Sequence, residues 1–222
     1  MARRIFDRHL QNLQDELLVM GSMVIEAIGR SIDALKNRNL VLARQVVEDD
    51  KNIDQKRYHI EELCVELIAT QQPIARDLRI IIAVLNMIVD LERIGDHARG
   101  NADIAIIIGD EPPLKPYIDV PRMAEKNMEM LRAALEAFVK RDADAARRII
   151  LDDNIVDDLY EQVFRELLTY MVADPTTINR ATHLIWVAHN LERSADRVTN
   201  IAERVIFVNT GKVGRTTGVS VD

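Results

Sequence analysis

An all-α fold, a tandem duplication of a three-helix up-down-up bundle with six helices in total, is predicted by three observations. Apolar residues recur at steps of three and four along most of the chain, the period of a helix buried on one side. Only 8 Gly and 6 Pro punctuate 222 residues, too few for many short strands, and the 4% aromatic content leaves a core of Leu, Ile, Val, Met and Ala. The segment Leu91-Glu92-Arg93, followed by Asp96, recurs as Leu191-Glu192-Arg193, followed by Asp196, at an offset of 100.

The first helix carries a heptad seam, Phe6, Leu10, Leu13, Leu17, Met20, Val24 and Ala27, and ends near the polar stretch 36–39. A second starts around Leu40 and turns Val46, Val47, Ile53, Ile60, Cys64, Leu67 and Ile68 inward; Pro73 stops it, because a proline disfavours helix at the residue before it. The third runs from about Ile74 to Ile108 with Leu78, Ile81, Leu85 and Ile88 inward. Residues 109–121 hold four prolines and a glycine, the clearest linker signal in the chain. Beyond it the pattern restarts with Met123, Met130, Leu131, Leu135 and Phe138, then Ile149, Ile150, Ile155, Leu159, Val163, Leu167 and Met171. Asp174 and Pro175 suit the cap and first position of a last helix that ends near Asn209. The expected division is residues 1–109 and 121–209 as the two repeats, 110–120 as a Pro-rich linker, and 210–222 as a flexible tail.

A net charge of −7, with no dense Lys/Arg block, argues against a nucleic-acid partner. The longest apolar run, Ile80–Val89, is far shorter than the ~20 residues of a membrane span, so no membrane insertion is expected. A single cysteine, Cys64, excludes an internal disulfide and sits at a helix core position. The expected location is cytoplasmic. Trp186, within an apolar stretch, is expected to pack between helices. Five histidines never follow a Glu by three, so the Glu-x-x-His pairs of di-iron bundles are missing. No Gly-rich phosphate loop, nucleophile elbow or other catalytic constellation is present.

Four acidic pairs share one spacing: Asp50/Asp54, Glu92/Asp96, Asp153/Asp157 and Glu192/Asp196. Residues at i and i+4 share a helix face, so each pair sets two like charges one turn apart, which weakens an isolated helix by a few tenths of a kcal/mol. Helix spacing adds Asp103 and Glu203 to the two columns. A bound cation would compensate the charges, and oxygen donors suit Mg²⁺, Ca²⁺, Mn²⁺ or iron. Arginines would too: Arg93 and Arg99 flank Asp96 at three residues, and Arg193 precedes Asp196 by three. Surface ion pairs of that kind contribute roughly 0–1 kcal/mol each. Both readings stay open on spacing alone.

The stretches Asp50–Asp54 (DKNID), 72–79 (QPIARDLR) and 91–98 (LERIGDHA), with the second copy 191–196 (LERSAD), together resemble the PhoU family of phosphate-uptake and phosphate-signalling regulators. The resemblance spans residues 1 to about 209 and implies two similar three-helix bundles. It implies metal clusters on Asp50, Asp54, Glu92 and Asp96, and on Asp153, Asp157, Glu192 and Asp196, the metal being iron or zinc, while the oxygen donors alone leave manganese and magnesium open as well. The second copy keeps the acids but replaces Ile94-Gly95 by Ser194-Ala195. By this resemblance the chain is a non-enzymatic negative regulator of phosphate uptake and the phosphate-starvation response. Its partners would be the ATPase subunit of the phosphate ABC transporter and a sensor histidine kinase, met as a homodimer at the inner face of the membrane. The rival readings are a metal-free helical scaffold and, behind it, a metal-dependent enzyme.

Overall fold

The computed structural model describes residues 2–212, and the expected tail lies outside the described residues from 213 onward. Six helices run in order: α1 (Ala2–Asn37), α2 (Leu40–Gln71), α3 (Ala75–Ile108), α4 (Asp119–Lys140), α5 (Ala143–Ala173) and α6 (Ile178–Thr210). A short 3-10 turn, Pro175–Thr177, precedes α6, with Asp174 accepting from the Thr176 amide at its start. No strand occurs among the described residues, and no helix there is long and apolar enough to cross a membrane.

A single apolar stripe explains α1, whereas α3, packed by α1, α2 and α6, is buried over a broader face. In α1, Phe6, Leu10, Leu13, Leu17, Met20 and Val24 are buried as the heptad predicts, but Ile28 follows Val24 and Ala27 is only half-buried. A straight helix has 3.6 residues per turn, so a 3.5-residue seam drifts and an extra step of four restores it. The same helical register corrects two more positions: Leu67 and Val156 are buried while their neighbours Ile68 and Ile155 are exposed.

The turns joining the first two helices of each repeat match in detail. Arg38 (φ 52°) and Arg141 (φ 57°) adopt the left-handed conformation, and the amides of Asn39 and Asp142 close back on Ala34 and Ala137, each at 2.9 Å. That is the six-to-one closure of a Schellman turn. Asn39 and Asp142 then cap the next helix, accepting from the Leu42 amide and from the Asp144 and Ala145 amides.

Within each repeat the helices pack on one another, and the repeats meet through α3 on α6 and α1 on α4. Corresponding helices therefore face each other across a pseudo-twofold axis. Asn200 on α6 reaches Asp90 on α3, and the matched place, with Asn190 against Gly100, has room because Gly100 carries no side chain; a Cβ there would stand 3.1 Å from the Asn190 amide nitrogen. The linker is tied down: Lys115 is buried, bonded to Glu166 on α5 and 3.9 Å from Asp119 at the start of α4.

Candidate functional site

The acidic pairs sit where the middle and last helices of each repeat face one another: α2 against α3, and α5 against α6. A three-helix up-down-up unit brings these helices side by side, so one pair from each meets the other. Asp50 feels Asp54 on its own helix and Asp96 on the next. Asp153 feels Asp157, Asp196 and Glu192; Glu192 feels Asp196 and Asp157; and Asp157 feels Asp196. The second repeat thus gathers Asp153, Asp157, Glu192 and Asp196 into one mutually repelling tetrad. Asp103 and Glu203 lie seven residues beyond Asp96 and Asp196, roughly 10 Å further along their helices. Asp103 pairs instead with Arg99 at 3.8 Å.

The two repeats differ in how this charge is met. In the first, Arg57 on α2 donates to Glu92 on α3 at 3.2 Å, and Arg99 on α3 donates to Asp50 on α2 at 3.3 Å. Arg93 adds Asp96 at 3.1 Å and Glu92 at 3.6 Å. Burial raises the Asp50 carboxyl above its ordinary value, and the Arg99 hydrogen bond opposes that rise. Gly95 keeps this seam close, since a Cβ there would stand 3.1 Å from Ile53 and 3.5 Å from an Asp50 oxygen.

In the second repeat Arg193 pairs with Asp196 at 2.8 Å, and His189 lies 3.5 Å from Glu192. No side-chain ion pair joins α5 to α6 among the described residues. Asp153 Oδ1 and Glu192 Oε2 are buried and accept no hydrogen bond. Burial, then the neighbouring Asp157, Asp196 and Glu192 carboxylates, push the Asp153 carboxyl up to about 7. Burial and the tetrad partners also raise Asp157 and Glu192. Orphaned carboxylate oxygens in a cluster of like charges fit a hard cation bound through oxygen. Among the described residues, however, no group of three or more His, Cys, Asp or Glu side chains is placed to hold a metal ion as the side chains stand.

Beside this tetrad runs a row of rings that sequence reading does not reveal. Phe164 and Tyr160 have centroids 6.3 Å apart, Tyr160 and His189 6.1 Å, and His189 and Trp186 6.0 Å. Trp186 is 55% exposed on this surface, where packing between helices was expected. Behind α6, the buried Asn127 donates to the carbonyl of Leu191 at 3.0 Å and so holds the residue next to Glu192. Its place in α4 corresponds to Val24 in α1, a departure that aligning the repeats could have flagged. Cys64 is fully buried, and burial together with Glu61 pushes its thiol up to about 12, which leaves it chemically quiet.

The comparisons with known proteins agree with this architecture. A family model described as the PhoU domain matches residues 17–105 and again 120–205. The phosphate-specific transport system accessory protein PhoU homolog of Aquifex aeolicus is 39% identical over 206 residues, 93% of each chain. The accessory protein PhoU of Escherichia coli is 33% identical, covering 96% of this chain and 88% of its own. The crystal structure of PhoU from Pseudomonas aeruginosa superposes with a TM-score of 0.88 at 38% identity, covering 93% of this chain and all of that one. The phosphate transport system regulatory protein PhoU from Streptococcus pneumoniae gives the same TM-score at 29% identity, over 94% and 99% of the two chains.

Proposed function

This chain belongs to the PhoU family, and on that premise we propose that it is a non-enzymatic regulator that restrains phosphate uptake and the phosphate-starvation response. Its relatives are named accessory or regulatory proteins of the phosphate transport system, which supports regulation over turnover. The partners of this reading are the ATPase subunit of the phosphate ABC transporter and a sensor histidine kinase, engaged by a homodimer at the cytoplasmic face of the membrane. Residues 1–109 and 121–209 act as the two repeats, joined through 110–120.

The observation that carries the reading is the matched set of acidic pairs on facing helices, repeated in both halves of a fold that aligns with the family along nearly its whole length. Metal is part of the proposal. Asp153, Asp157, Glu192 and Asp196 would hold an ion such as iron, zinc, manganese or magnesium, and Asp50, Asp54, Glu92 and Asp96 are the corresponding first-repeat set. The ion would supply the positive charge between α5 and α6 that Arg193, paired with Asp196 on its own helix, does not. A metal-free adaptor is the second reading, and the arginine pairs of the first repeat favour it.

The test is phosphate uptake in cells lacking the gene, grown with ample phosphate and complemented with the wild-type chain or with Asp153→Asn/Glu192→Gln. Uptake should rise on deletion and fall again with the wild-type chain. Uptake indifferent to deletion overturns the regulatory reading. Full restraint by the double variant favours the metal-free adaptor.

A further inference from the structure

We infer that the two repeats are not equivalent cation sites: Arg57 and Arg99 fill the first from within, and only the second, at Asp153, Asp157, Glu192 and Asp196, takes a metal ion. This rests on the metal reading above and narrows it.

Aligning the repeats residue by residue isolates the difference. An offset of 103 carries Asp50, Asp54 and Arg57 of α2 onto Asp153, Asp157 and Tyr160 of α5. An offset of 100 carries Glu92, Asp96 and Arg99 of α3 onto Glu192, Asp196 and Thr199 of α6. All four acids are kept, and both arginines that cross between the helices are replaced. Arg93 and Arg193 pair with Asp96 and Asp196 in the same way in both repeats, so they do not distinguish them.

The two crossing arginines act reciprocally. Arg57 reaches from α2 to Glu92, and Arg99 reaches from α3 to Asp50, whose residue is only 5% exposed. Together they tie the facing helices through the very carboxylates a metal would use. An ion entering here would have to expel two guanidiniums from half-buried charge-assisted bonds, and their like charge would oppose it throughout. Glu92 Oε2 accepts no hydrogen bond but still lies 3.6 Å from Arg93 Nε.

Nothing equivalent spans α5 and α6. Tyr160 lies in the ring stack with Phe164 and His189, and the Thr199 hydroxyl turns to its own helix, donating to the Asp196 carbonyl at 2.8 Å. Asp153 Oδ1 and Glu192 Oε2 stay buried and without hydrogen bonds. The second repeat keeps the four carboxylates without an arginine that crosses between its helices: Arg193, on Asp196, and His189, 3.5 Å from Glu192 Oε2, both approach carboxylates of their own helix.

The test is a titration of the full metal-stripped chain with Mn²⁺, read by bound metal per chain and by fluorescence of Trp186. Trp186 is the sole tryptophan, and its ring is 6.0 Å from that of His189, which borders Glu192. In the wild-type chain the quenching of Trp186 should saturate together with total bound metal. Asp153→Asn/Glu192→Gln should lose the metal, and Asp50→Asn/Glu92→Gln should keep it all. Arg57→Tyr/Arg99→Thr, which writes second-repeat residues into the first, should about double the bound metal. Metal that divides evenly between the repeats, half of it binding without quenching Trp186, overturns the inference and leaves the metal reading standing. No bound metal in the wild-type or the arginine-swapped chain overturns both. The wild-type comparison of quenching with stoichiometry decides the matter even if a variant fails to fold.

Discussion

The Asp90 carboxylate on α3 accepts a hydrogen bond from the Asn200 amide on α6 at 3.2 Å, across the seam between the two repeats. Arg197 approaches the same oxygen at 3.4 Å, and Asp90 is only 8% exposed. A buried carboxylate deprived of a partner costs about 1–3 kcal/mol. Asn200→Ala is therefore expected to lower the melting temperature by several degrees, at roughly 2–4 °C per kcal/mol for a chain of this size. Lys140→Ala, which breaks an exposed pair with Glu136, should shift it by little. Equal effects of the two substitutions in a thermal melt would remove Asp90 from the account of how the repeats hold together.

The metal-free chain should become more stable as pH falls from 7.5 to 6. The Asp153 carboxyl titrates near 7 in the folded chain, above the ordinary 3.8 that it regains on unfolding. Between those values the folded state holds a proton that the unfolded state lacks, so stability is gained on acidification and lost as pH rises through about 7. Asp50, Asp90, Asp157 and Glu192 are raised too and act in the same direction. His97, lowered chiefly by burial, opposes them below its ordinary 6.5, because the unfolded chain then binds the extra proton. Comparing wild type with Asp153→Asn cancels the other groups. The variant should melt higher at pH 7.5 and show a flatter profile, measured in chelator. A wild-type profile parallel to that of the variant would contradict the crowding of the tetrad.

Cys64 should resist thiol reagents until the chain unfolds. Its side chain is fully buried, and a thiol pushed up to about 12 holds roughly three orders of magnitude less thiolate at pH 8 than an ordinary cysteine. Reaction with an aromatic disulfide reagent should be negligible in buffer and rapid in denaturant. Prompt labelling of the native chain would mean that α2 opens locally far more often than its packing implies.

Much of this fold is legible in the sequence because helix packing writes itself as periodicity. The stripe Leu13, Leu17, Met20 can be read without knowing what covers it. Where two apolar residues stand side by side, as in Leu67-Ile68 and Ile155-Val156, the period alone does not choose between them; the neighbouring helix does. Trp186 shows the same limit, since an apolar stretch does not disclose which face lacks a partner. The acidic pairs are visible from their spacing. Their compensation is visible only in part: Arg93 on Asp96 and Arg193 on Asp196 follow from spacing, whereas Arg57 and Arg99 act across helices rather than at three or four residues' distance. Yet the replacement of Arg57 by Tyr160 and of Arg99 by Thr199 is written in the repeats and can be read once they are aligned.

Arg141→Gly should stabilise the chain by about 0.5–1 kcal/mol, although it removes a charged side chain and adds a flexible residue. Arg141 holds φ at 57°, where a Cβ costs roughly 1–2 kcal/mol, and glycine is free of that cost. Against this stands the greater freedom of glycine in the unfolded chain, which offsets part of the gain. The side chain of Arg141 is exposed, so little packing is lost. Arg38 occupies the same turn of the first repeat at φ 52°, but its guanidinium donates to the Asp110 carbonyl at 3.4 Å, tying the turn to the end of α3. Arg38→Gly should therefore gain less than Arg141→Gly. Arg141→Ala separates strain from charge, because alanine removes the guanidinium and keeps the Cβ. The melt should rise by a few degrees for Arg141→Gly and stay level for Arg141→Ala; equal rises would show that charge, not backbone strain, governs this turn.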